Sequence, residues 1–264
     1  MRQAGGRYLA GRVALVTGAG RGLGRVIALA LAEVGADVAV AARTREQVEE
    51  TAARIEALGG RAQAETCDVT DPAQVQAAVA RVEAGLGPVS ILVNNAGVAA
   101  SARLTDTSDE LWDRMLRVNA TGSFYGMRAV LPGMVARGWG RIINIASTAA
   151  RQGSAYVAAY AASKHAVLGL TRAAAVEVAT RGVTVNAVCP GWLPTELTDE
   201  TIRNITRRTG RTDDEARRVL EGFSPQQRLI DLEEVAQMVC FLCSDAARGI
   251  NGQGIVIDGG GVQR

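Results

Sequence analysis

Tyr160 and Lys164 are the side chains best suited to chemistry in this chain, and they lie four residues apart in the segment Tyr-Ala-Ala-Ser-Lys. On a helix this spacing puts both side chains on one face. A free phenol has a pKa of about 10, too high to exchange protons readily near neutral pH, and a neighbouring ammonium group lowers that pKa. We therefore interpret the pair as a proton donor and acceptor for a substrate oxygen.

Ser147 is a third candidate for the same site. It follows a predicted strand at 141–146 and precedes Tyr160 by thirteen residues. Its hydroxyl could donate a hydrogen bond to a carbonyl oxygen and hold that carbonyl for attack. Because Tyr-x-x-x-Lys also occurs by chance on helix surfaces, this interpretation depends on other motifs in the chain.

A glycine-rich loop, Thr-Gly-Ala-Gly-Arg-Gly-Leu-Gly at 17–24, joins a predicted strand at 12–17 to a predicted helix at 22–33. Glycines permit positive φ and let backbone N–H groups approach a pyrophosphate, whose charge the helix N-terminus favours. A tight structural turn is the alternative, but the position between strand and helix favours dinucleotide binding. The candidate contacts are Gly18, Gly20, Arg21, Gly22, Leu23 and Gly24.

The end of the second predicted strand, 37–42, indicates which dinucleotide is bound. An NAD site normally has a carboxylate there, whereas a basic group accommodates the 2′-phosphate of NADP. Here the strand ends in Ala-Ala followed by Arg43, and Arg21 in the glycine loop could reach the same phosphate. We expect NADP(H) rather than NAD(H); the alternative is that Arg43 only begins a solvated helix.

Short apolar runs alternate with longer amphipathic stretches along the chain, which is typical of βαβ units around a parallel sheet. The strands are apolar on both faces, so we expect an α/β doubly wound, Rossmann-type sheet with helices on both sides, in one domain over residues 1–264. The predicted strands are 12–17, 37–42, 62–67, 90–93, 141–146, 183–188 and 254–258, and the main helices 22–33, 44–58, 109–135, 155–180 and 232–244.

The stretch 193–222 is charged, weakly periodic and hard to place in a layered sheet. Long excursions in a compact domain tend to be functional. We therefore expect a mobile lid on the substrate side of the domain.

Composition limits the class of protein. The 29 basic and 27 acidic residues are interspersed and give a net charge of +2, so nucleic acid is not an expected partner. No apolar run is long enough to span a membrane and residues 1–11 lack the apolar centre of a secretory signal, so we expect a cytoplasmic protein. Cys240 and Cys243 form a Cys-x-x-Cys without further ligands, and we expect core packing and no metal site.

Taken in order, the glycine loop, the Asn-Asn-Ala-Gly turn at 94–97, Ser147, Tyr160 and Lys164 resemble the short-chain dehydrogenase/reductase superfamily, in its branch of about 250 residues. The resemblance covers nearly the whole chain. It implies that Tyr160 is the general acid in reduction and the general base in oxidation, and that Lys164 binds the nicotinamide ribose and tunes Tyr160. It also implies that Ser147 orients the substrate and that Asn119 holds a proton-relay water with Lys164.

The same resemblance implies further contacts to the cofactor. Asp68 and Val69 correspond to the pair that contacts adenine. Asn95, Ala96 and Gly97 correspond to the turn that lines the cofactor. Pro190, Gly191 and Thr195 correspond to the segment that holds the nicotinamide carboxamide.

Substrate contacts are expected from Gln152, Tyr156, Val157 and Trp192, which flank the catalytic residues in the sequence. Their mixed character suits a moderately hydrophobic ketone. The chain is similar to 3-oxoacyl thioester and polyketide ketoreductases. A set of arginines could bind the phosphates of a coenzyme A or carrier-protein arm, although a solvated helix pair explains them equally well: Arg203, Arg207, Arg208, Arg211, Arg217 and Arg218.

Two other functions stay open. One is an NAD(P)-dependent secondary-alcohol or hydroxysteroid-type dehydrogenase that works in the oxidative direction, and the other is a cofactor-binding scaffold without chemistry. The resemblance also implies a homotetramer built through the helices at 109–135 and 155–180 and the C-terminal strand.

Overall fold

The computed structural model describes residues 6–263, so residues 1–5 and 264 of the predicted domain lie outside the described part. One seven-stranded parallel sheet is present, with the order β3-β2-β1-β4-β5-β6-β7. The strands are β1 Val13–Thr17, β2 Asp37–Ala42, β3 Ala62–Thr66, β4 Val89–Asn94, β5 Gly140–Ile145, β6 Val183–Pro190 and β7 Gly254–Ile257. The doubly wound, Rossmann-type fold class is therefore confirmed.

The helices follow the strands in the expected alternation. They are α1 Gly22–Glu33, α2 Arg45–Ala57, α3 Pro72–Gly85, α4 Asp109–Met115, α5 Gly122–Arg137, α6 Ala158–Glu177, α7 Glu196–Thr209, α8 Asp213–Glu221 and α9 Leu232–Cys243. Local sequence sets their starts. Before α3, for example, the Asp71 carboxylate accepts from the backbone N–H of Ala73 at 2.9 Å, and Pro72 occupies the first helical position, where its missing N–H is not needed.

Each face of the sheet has its own hydrophobic core. Along β1, Ala14 and Val16 point to the side covered by α1, α2 and α9, whereas Val13 and Leu15 point to the side covered by α3, α5 and α6. Successive strand residues alternate between faces, so a strand buried on both sides must be apolar throughout. This explains why the strands read as continuous apolar runs.

The predicted helix at 109–135 is not a uniform α-helix. α4 passes into a π-helical turn, Leu116–Thr121, before α5 begins. Such turns insert one extra residue into the helical path and are frequent at functional sites. The inserted turn contains Asn119, one of the residues implicated by the resemblance.

The stretch 193–222 is more regular than expected. It forms α7 and α8, and their apolar residues Ile202, Ala216 and Leu220 make a small cluster with Leu229, separate from the two sheet cores. Thr212 and Glu215 form a capping box that begins α8. The expectation of weak periodicity was wrong: both helices are amphipathic, and their apolar residues cover each other instead of the sheet. The lid function stays a prediction.

The chain extends the sheet from β1 first through β2 and β3, and then returns to the other side of β1 with β4. In open α/β sheets, ligands bind outside the carboxyl ends of the strands at such a reversal. The glycine loop leaves β1 and the Asn-Asn-Ala-Gly turn leaves β4 at this point. Within the described residues, no helix is long and apolar enough to cross a membrane.

Candidate active site

The glycine loop is tightly fitted against the turn that follows β4. Gly18 has a φ of +65°, and a Cβ there would lie 2.7 Å from the Ala96 Cα. A Cβ on Gly24 would collide with the Gly18 carbonyl and the Asn95 amide. Only glycine satisfies both positions, because the first needs positive φ and both need space for backbone.

Hydrogen bonds hold these two segments together. The Asn95 Nδ2 donates to the carbonyl oxygens of Thr17 at 3.0 Å and Gly18 at 3.1 Å. The Thr17 Oγ1 accepts from the backbone N–H groups of Asn95 and Ala96, both at 3.1 Å. The result is a backbone cradle at the N-terminus of α1, which fits the pyrophosphate of a dinucleotide.

The two arginines predicted to bind the 2′-phosphate differ in their surroundings. Arg43 is exposed directly after β2, and its guanidinium has no hydrogen-bond or ion-pair partner among residues 6–263. Arg21 instead forms an ion pair with Glu196, the first residue of α7. Arg43 is therefore available to a phosphate, whereas Arg21 must first leave Glu196.

Asp68 and Val69 follow β3 at the same edge of the sheet. The Asp68 carboxylate accepts from the backbone N–H and the hydroxyl of Thr70, at 2.9 Å and 2.8 Å, which fixes the turn. Val69 packs against α5, because a Cβ on Gly122 would lie only 2.9 Å from its side chain. Their predicted contact with adenine stays a prediction.

The segment after β6 closes the opposite side of the crevice. The Gly191 N–H donates to the Ile257 carbonyl at 2.9 Å, and a Cβ on Gly191 would lie 2.9 Å from the Asp258 Cβ. Thr195 precedes α7, and its methyl group lies 3.9 Å from the position of a Cβ on Gly22. Thr195 therefore lies near the glycine loop, whereas Gly191 packs against the end of β7, and the predicted contact of Pro190, Gly191 and Thr195 with the cofactor stays a prediction.

Ser147, Tyr160 and Lys164 converge at the ends of β5 and α6. The Ser147 Oγ accepts from the Ala149 N–H at 3.1 Å and is hydrogen-bonded to the Tyr160 hydroxyl. The Lys164 Nζ lies 5.8 Å from the centre of the Tyr160 ring and donates to the Ile145 carbonyl at 2.9 Å. The three predicted side chains therefore occupy one site.

Asn119 joins this group through the π-helical turn. Its Oδ1 accepts from the Val98 N–H, and its Nδ2 donates to the Val98 carbonyl and the Ser163 Oγ, all at 2.9 Å. Ser163, which the sequence argument missed, donates in turn to the Tyr160 carbonyl at 2.7 Å. A Cβ on Gly97 would lie 3.2 Å from the Asn119 Oδ1 and 3.5 Å from the Lys164 Nζ, so both side chains border the same space. The water relay itself stays a prediction.

Burial dominates the electrostatics of the catalytic pair. It raises the pKa of Tyr160, and the hydrogen bond from Ser147 opposes that rise. It also lowers the pKa of Lys164 to about 8. In the protein without cofactor, loss of solvent therefore determines the direction of the Tyr160 pKa shift, and the Lys164 ammonium group is directed to the Ile145 carbonyl. The lowering of that pKa by Lys164 together with an oxidised nicotinamide stays a prediction.

A cavity of about 80 Å³ is lined by Thr148, the residue after Ser147, and by Gln152 and Trp192, whereas Ser147, Tyr160 and Lys164 are not part of its wall. Two of the four predicted substrate contacts, Gln152 and Trp192, thus share one space. Tyr156 and Val157 lie outside it at the start of α6, and Tyr156 is exposed with a φ of +69°.

Other lining residues were missed from the sequence. Phe223 lies with its ring centre 6.4 Å from that of Trp192, and Leu220, Ile230 and Val262 form the rest of the apolar wall. They come from α8, from the segment between α8 and α9 and from the C-terminal segment, none of which carries a motif. The only sequence signal for this part of the wall was the predicted lid at 193–222, which contains Leu220 and ends directly before Phe223.

Two cysteines and the single histidine of the chain lie outside the catalytic group. Cys240 and Cys243 are buried in α9, where burial raises the pKa of Cys240 to about 12, in agreement with core packing. His165 is exposed, and its Nδ1 lies 2.9 Å from the Ala161 carbonyl on its own helix. Neither feature contributes to the catalytic group.

The chain is similar to known proteins over nearly its whole length. A short-chain dehydrogenase family model described as enoyl-(acyl carrier protein) reductase matches residues 18–261. The 3-oxoacyl-[acyl-carrier-protein] reductase FabG of Vibrio cholerae is 38% identical over 96% of this chain and 98% of its own length. The D-beta-hydroxybutyrate dehydrogenase of Rhizobium meliloti is 36% identical over 94% of this chain and 98% of its own.

Among solved structures, a single-residue variant of actinorhodin polyketide ketoreductase with NADPH superposes with a TM-score of 0.91. It is 39% identical to this chain and covers 94% of it, and 96% of that structure is covered in return. Both the fold and the length of the chain are therefore shared with proteins that carry ketoreductase names.

The lowered pKa of Lys164 predicts a pH-dependent stability. The pKa is about 8 in the folded chain and near its ordinary value of 10.5 when unfolded. Between these values the unfolded chain binds more protons, so the free energy of unfolding from this residue rises with pH. In urea titrations without added nucleotide, the free energy of unfolding of the wild type, relative to that of Lys164→Met, should rise by about 2 kcal/mol between about pH 7 and about pH 9.5.

Lys164 is the only lysine in the chain, so ¹³C-labelled lysine gives a single side-chain signal that reports the same titration directly. A stability difference that does not change with pH, together with a Cε signal that titrates near 10.5, would show that Lys164 is not desolvated as described.

Proposed function

Because the chain belongs to the short-chain dehydrogenase/reductase family, we propose that it is an NADP(H)-dependent oxidoreductase that reduces a ketone to a secondary alcohol. The observation that carries this proposal is the convergence of Ser147, Tyr160 and Lys164 beside the backbone cradle of the glycine loop. A carbonyl placed at this convergence would meet two hydroxyl groups and an ammonium group, which together suit proton transfer to its oxygen.

The glycine loop, Arg43 and the segment after β6 would hold the dinucleotide, whose reduced nicotinamide supplies the hydride. With substrate bound, Ser147 donates its one hydroxyl hydrogen to the carbonyl oxygen instead of to Tyr160, and Tyr160 donates the proton to that oxygen. Burial keeps Tyr160 protonated at neutral pH, which is the state that reduction requires. Lys164, still mostly charged at neutral pH, stabilises the phenolate that remains.

The substrate class follows from the cavity wall and the relatives together. Trp192, Phe223 and Leu220 offer apolar contacts to a ketone, and Gln152, Arg228 and Asp258 line the same cavity with polar groups. Together with the names of the relatives this supports a 3-oxoacyl thioester, a polyketide or a similar hydrophobic ketone. The exposed arginines of α7 and α8 are suited to the phosphates of a coenzyme A or carrier-protein arm. The reductase and ketoreductase names of two relatives support this choice.

A second candidate is the oxidation of a secondary alcohol. The likeness to D-beta-hydroxybutyrate dehydrogenase favours it, since the same residues can run the reaction in reverse with Tyr160 as the base. A scaffold without chemistry is less consistent with the chain, because Asn119, Ser147, Tyr160 and Lys164 are all present and converge.

We also propose a homotetramer. Trp112, Phe124 and Val176 expose 39%, 40% and 78% of their surface on α4, α5 and α6, and within the described residues β7 pairs with β6 alone. Exposed apolar residues and an open strand edge favour contact with further copies. Light scattering should give four times the chain mass of 27.6 kDa, and a clean monomer would contradict the proposal.

Tyr160→Phe should remove activity while leaving cofactor binding intact. The variant lacks the hydroxyl that donates the proton, and its ring still fills the same space. With NADPH and a 3-oxoacyl thioester, turnover should fall by at least about 10³-fold. The dissociation constant for NADPH, measured by fluorescence, should change little. Unchanged turnover would rule out the assigned proton donor.

Arg43→Ala should abolish the preference for NADPH. The side chain is the available cation at the tip of β2, so its loss removes a charged contact to the 2′-phosphate and none to NADH. Fluorescence titrations should show NADPH binding weakened by about 10-fold or more and NADH binding nearly unchanged. Equal binding of both nucleotides by the wild type would instead point to NAD(H) and to the oxidative direction.

A further inference from the structure

Arg25 connects the glycine loop to a different part of the cofactor site. It lies in the first turn of α1, and only 18% of its side chain is exposed. Its Nε donates to the Gly20 carbonyl at 3.1 Å, and its Nη2 donates to the same oxygen. The guanidinium therefore holds the middle of the loop from the helix that follows it.

The same guanidinium also binds α2. Its Nε donates to the Thr51 Oγ1 at 3.1 Å, and its Nη2 and Nη1 donate to the Glu50 carboxylate at 2.9 Å and 3.3 Å. Thr51 is fully buried, and its hydroxyl lies 3.4 Å from the Gly20 carbonyl as well. A planar fork with five N–H groups is well suited to join acceptors on two separate segments.

The joined segments carry different parts of the cofactor site. The loop offers the cradle for the pyrophosphate, whereas α2 begins two residues after Arg43. They meet at Gly20, where a Cβ would lie 2.8 Å from the Gln47 Cβ and 3.6 Å from the Ala42 Cβ. The packing of Gly20 against Gln47 and Ala42 thus sets the position of Arg43 relative to the cradle, and the hydrogen bonds of Arg25 stabilise that packing.

We propose that Arg25 is a positioning residue for the adenosine end of the cofactor: by fastening the glycine loop to α2 it sets the distance between the pyrophosphate cradle and Arg43. It thereby contributes to the choice of NADP(H) over NAD(H) without contacting the phosphate. This inference rests on the proposed cofactor preference, because it assigns a cause to that preference.

Arg25→Met removes all of these hydrogen bonds, and Arg54→Met is the matched control. Arg54 is exposed and pairs with the same Glu50 at 2.6 Å, but it has no contact with the loop. In fluorescence titrations, Arg25→Met should weaken NADPH binding about 10-fold more than NADH binding, since only NADPH depends on the placement of Arg43. Arg54→Met should leave the ratio of the two dissociation constants unchanged.

A double-mutant cycle separates positioning from direct contact. In an Arg43→Ala background, Arg25→Met should no longer change the NADPH to NADH ratio, because no phosphate ligand is left to position. If Arg25→Met still weakens NADPH binding more than NADH binding in that background, Arg25 acts on the phosphate independently of Arg43 and the proposal is wrong. Equal weakening of both nucleotides in the single variant would also overturn it, since the role would then be support of the loop alone.

Folding and cofactor choice are checked separately. Arg25→Lys keeps the charge but lacks the planar fork that reaches both segments. It should therefore also weaken NADPH binding more than NADH binding, and it provides the test if Arg25→Met proves unstable. The wild-type ratio tests the proposed NADP(H) preference itself. A wild type that prefers NADPH and an Arg25→Lys protein that retains the full preference would refute the role of Arg25 and leave the proposed function standing.

Discussion

Two backbone segments meet at the carboxyl ends of β1 and β4, and the cofactor side of the site is arranged around that contact. The side chains of Thr17 and Asn95 each bind the backbone of the other segment, and Gly18 and Gly24 leave room for the approach. The strands are neighbours because the chain returns to β1 after building β2 and β3. The reversal of the strand order at β1 therefore creates both the crevice and the arrangement of the backbone groups that line it.

A buried polar network relates the catalytic residues to that sheet. Asn94 on β4 donates to Asn144 on β5 at 2.8 Å, and Asn144 donates to Thr171 on α6 at 2.9 Å. All three side chains are buried, so breaking a bond would leave an unpaired group at a cost of about 1–3 kcal/mol. Since Ser147 follows β5 and Tyr160 lies on α6, this network joins the strand and the helix that carry the two hydroxyl groups.

The features that sequence predicted are those set by local spacing. The glycine loop between strand and helix, the four-residue step from Tyr160 to Lys164 and the apolar strands needed no knowledge of distant contacts. The π-helical turn could not be predicted in this way, because Asn119 is held there by hydrogen bonds to Val98 and Ser163, which belong to other elements. The ion pair of Arg21 with Glu196 and the placement of Phe223 beside Trp192 likewise join segments far apart in the chain, and neither has a local signature.

Burial acts on Tyr160 and Lys164 in opposite directions, and the combination favours one order of events. It disfavours a phenolate and makes the ammonium group easier to deprotonate, so an isolated charge at either residue is costly. Once Tyr160 has given up its proton, phenolate and ammonium carry opposite charges in the same buried site, so each offsets part of the other's loss of solvent. The site thus holds the proton until a substrate oxygen takes it and stabilises the charge pair only afterwards. In alcohol oxidation Tyr160 must begin as a phenolate, the state that burial disfavours in the protein without bound cofactor, so oxidation depends more than reduction on charges that bind beside the tyrosine.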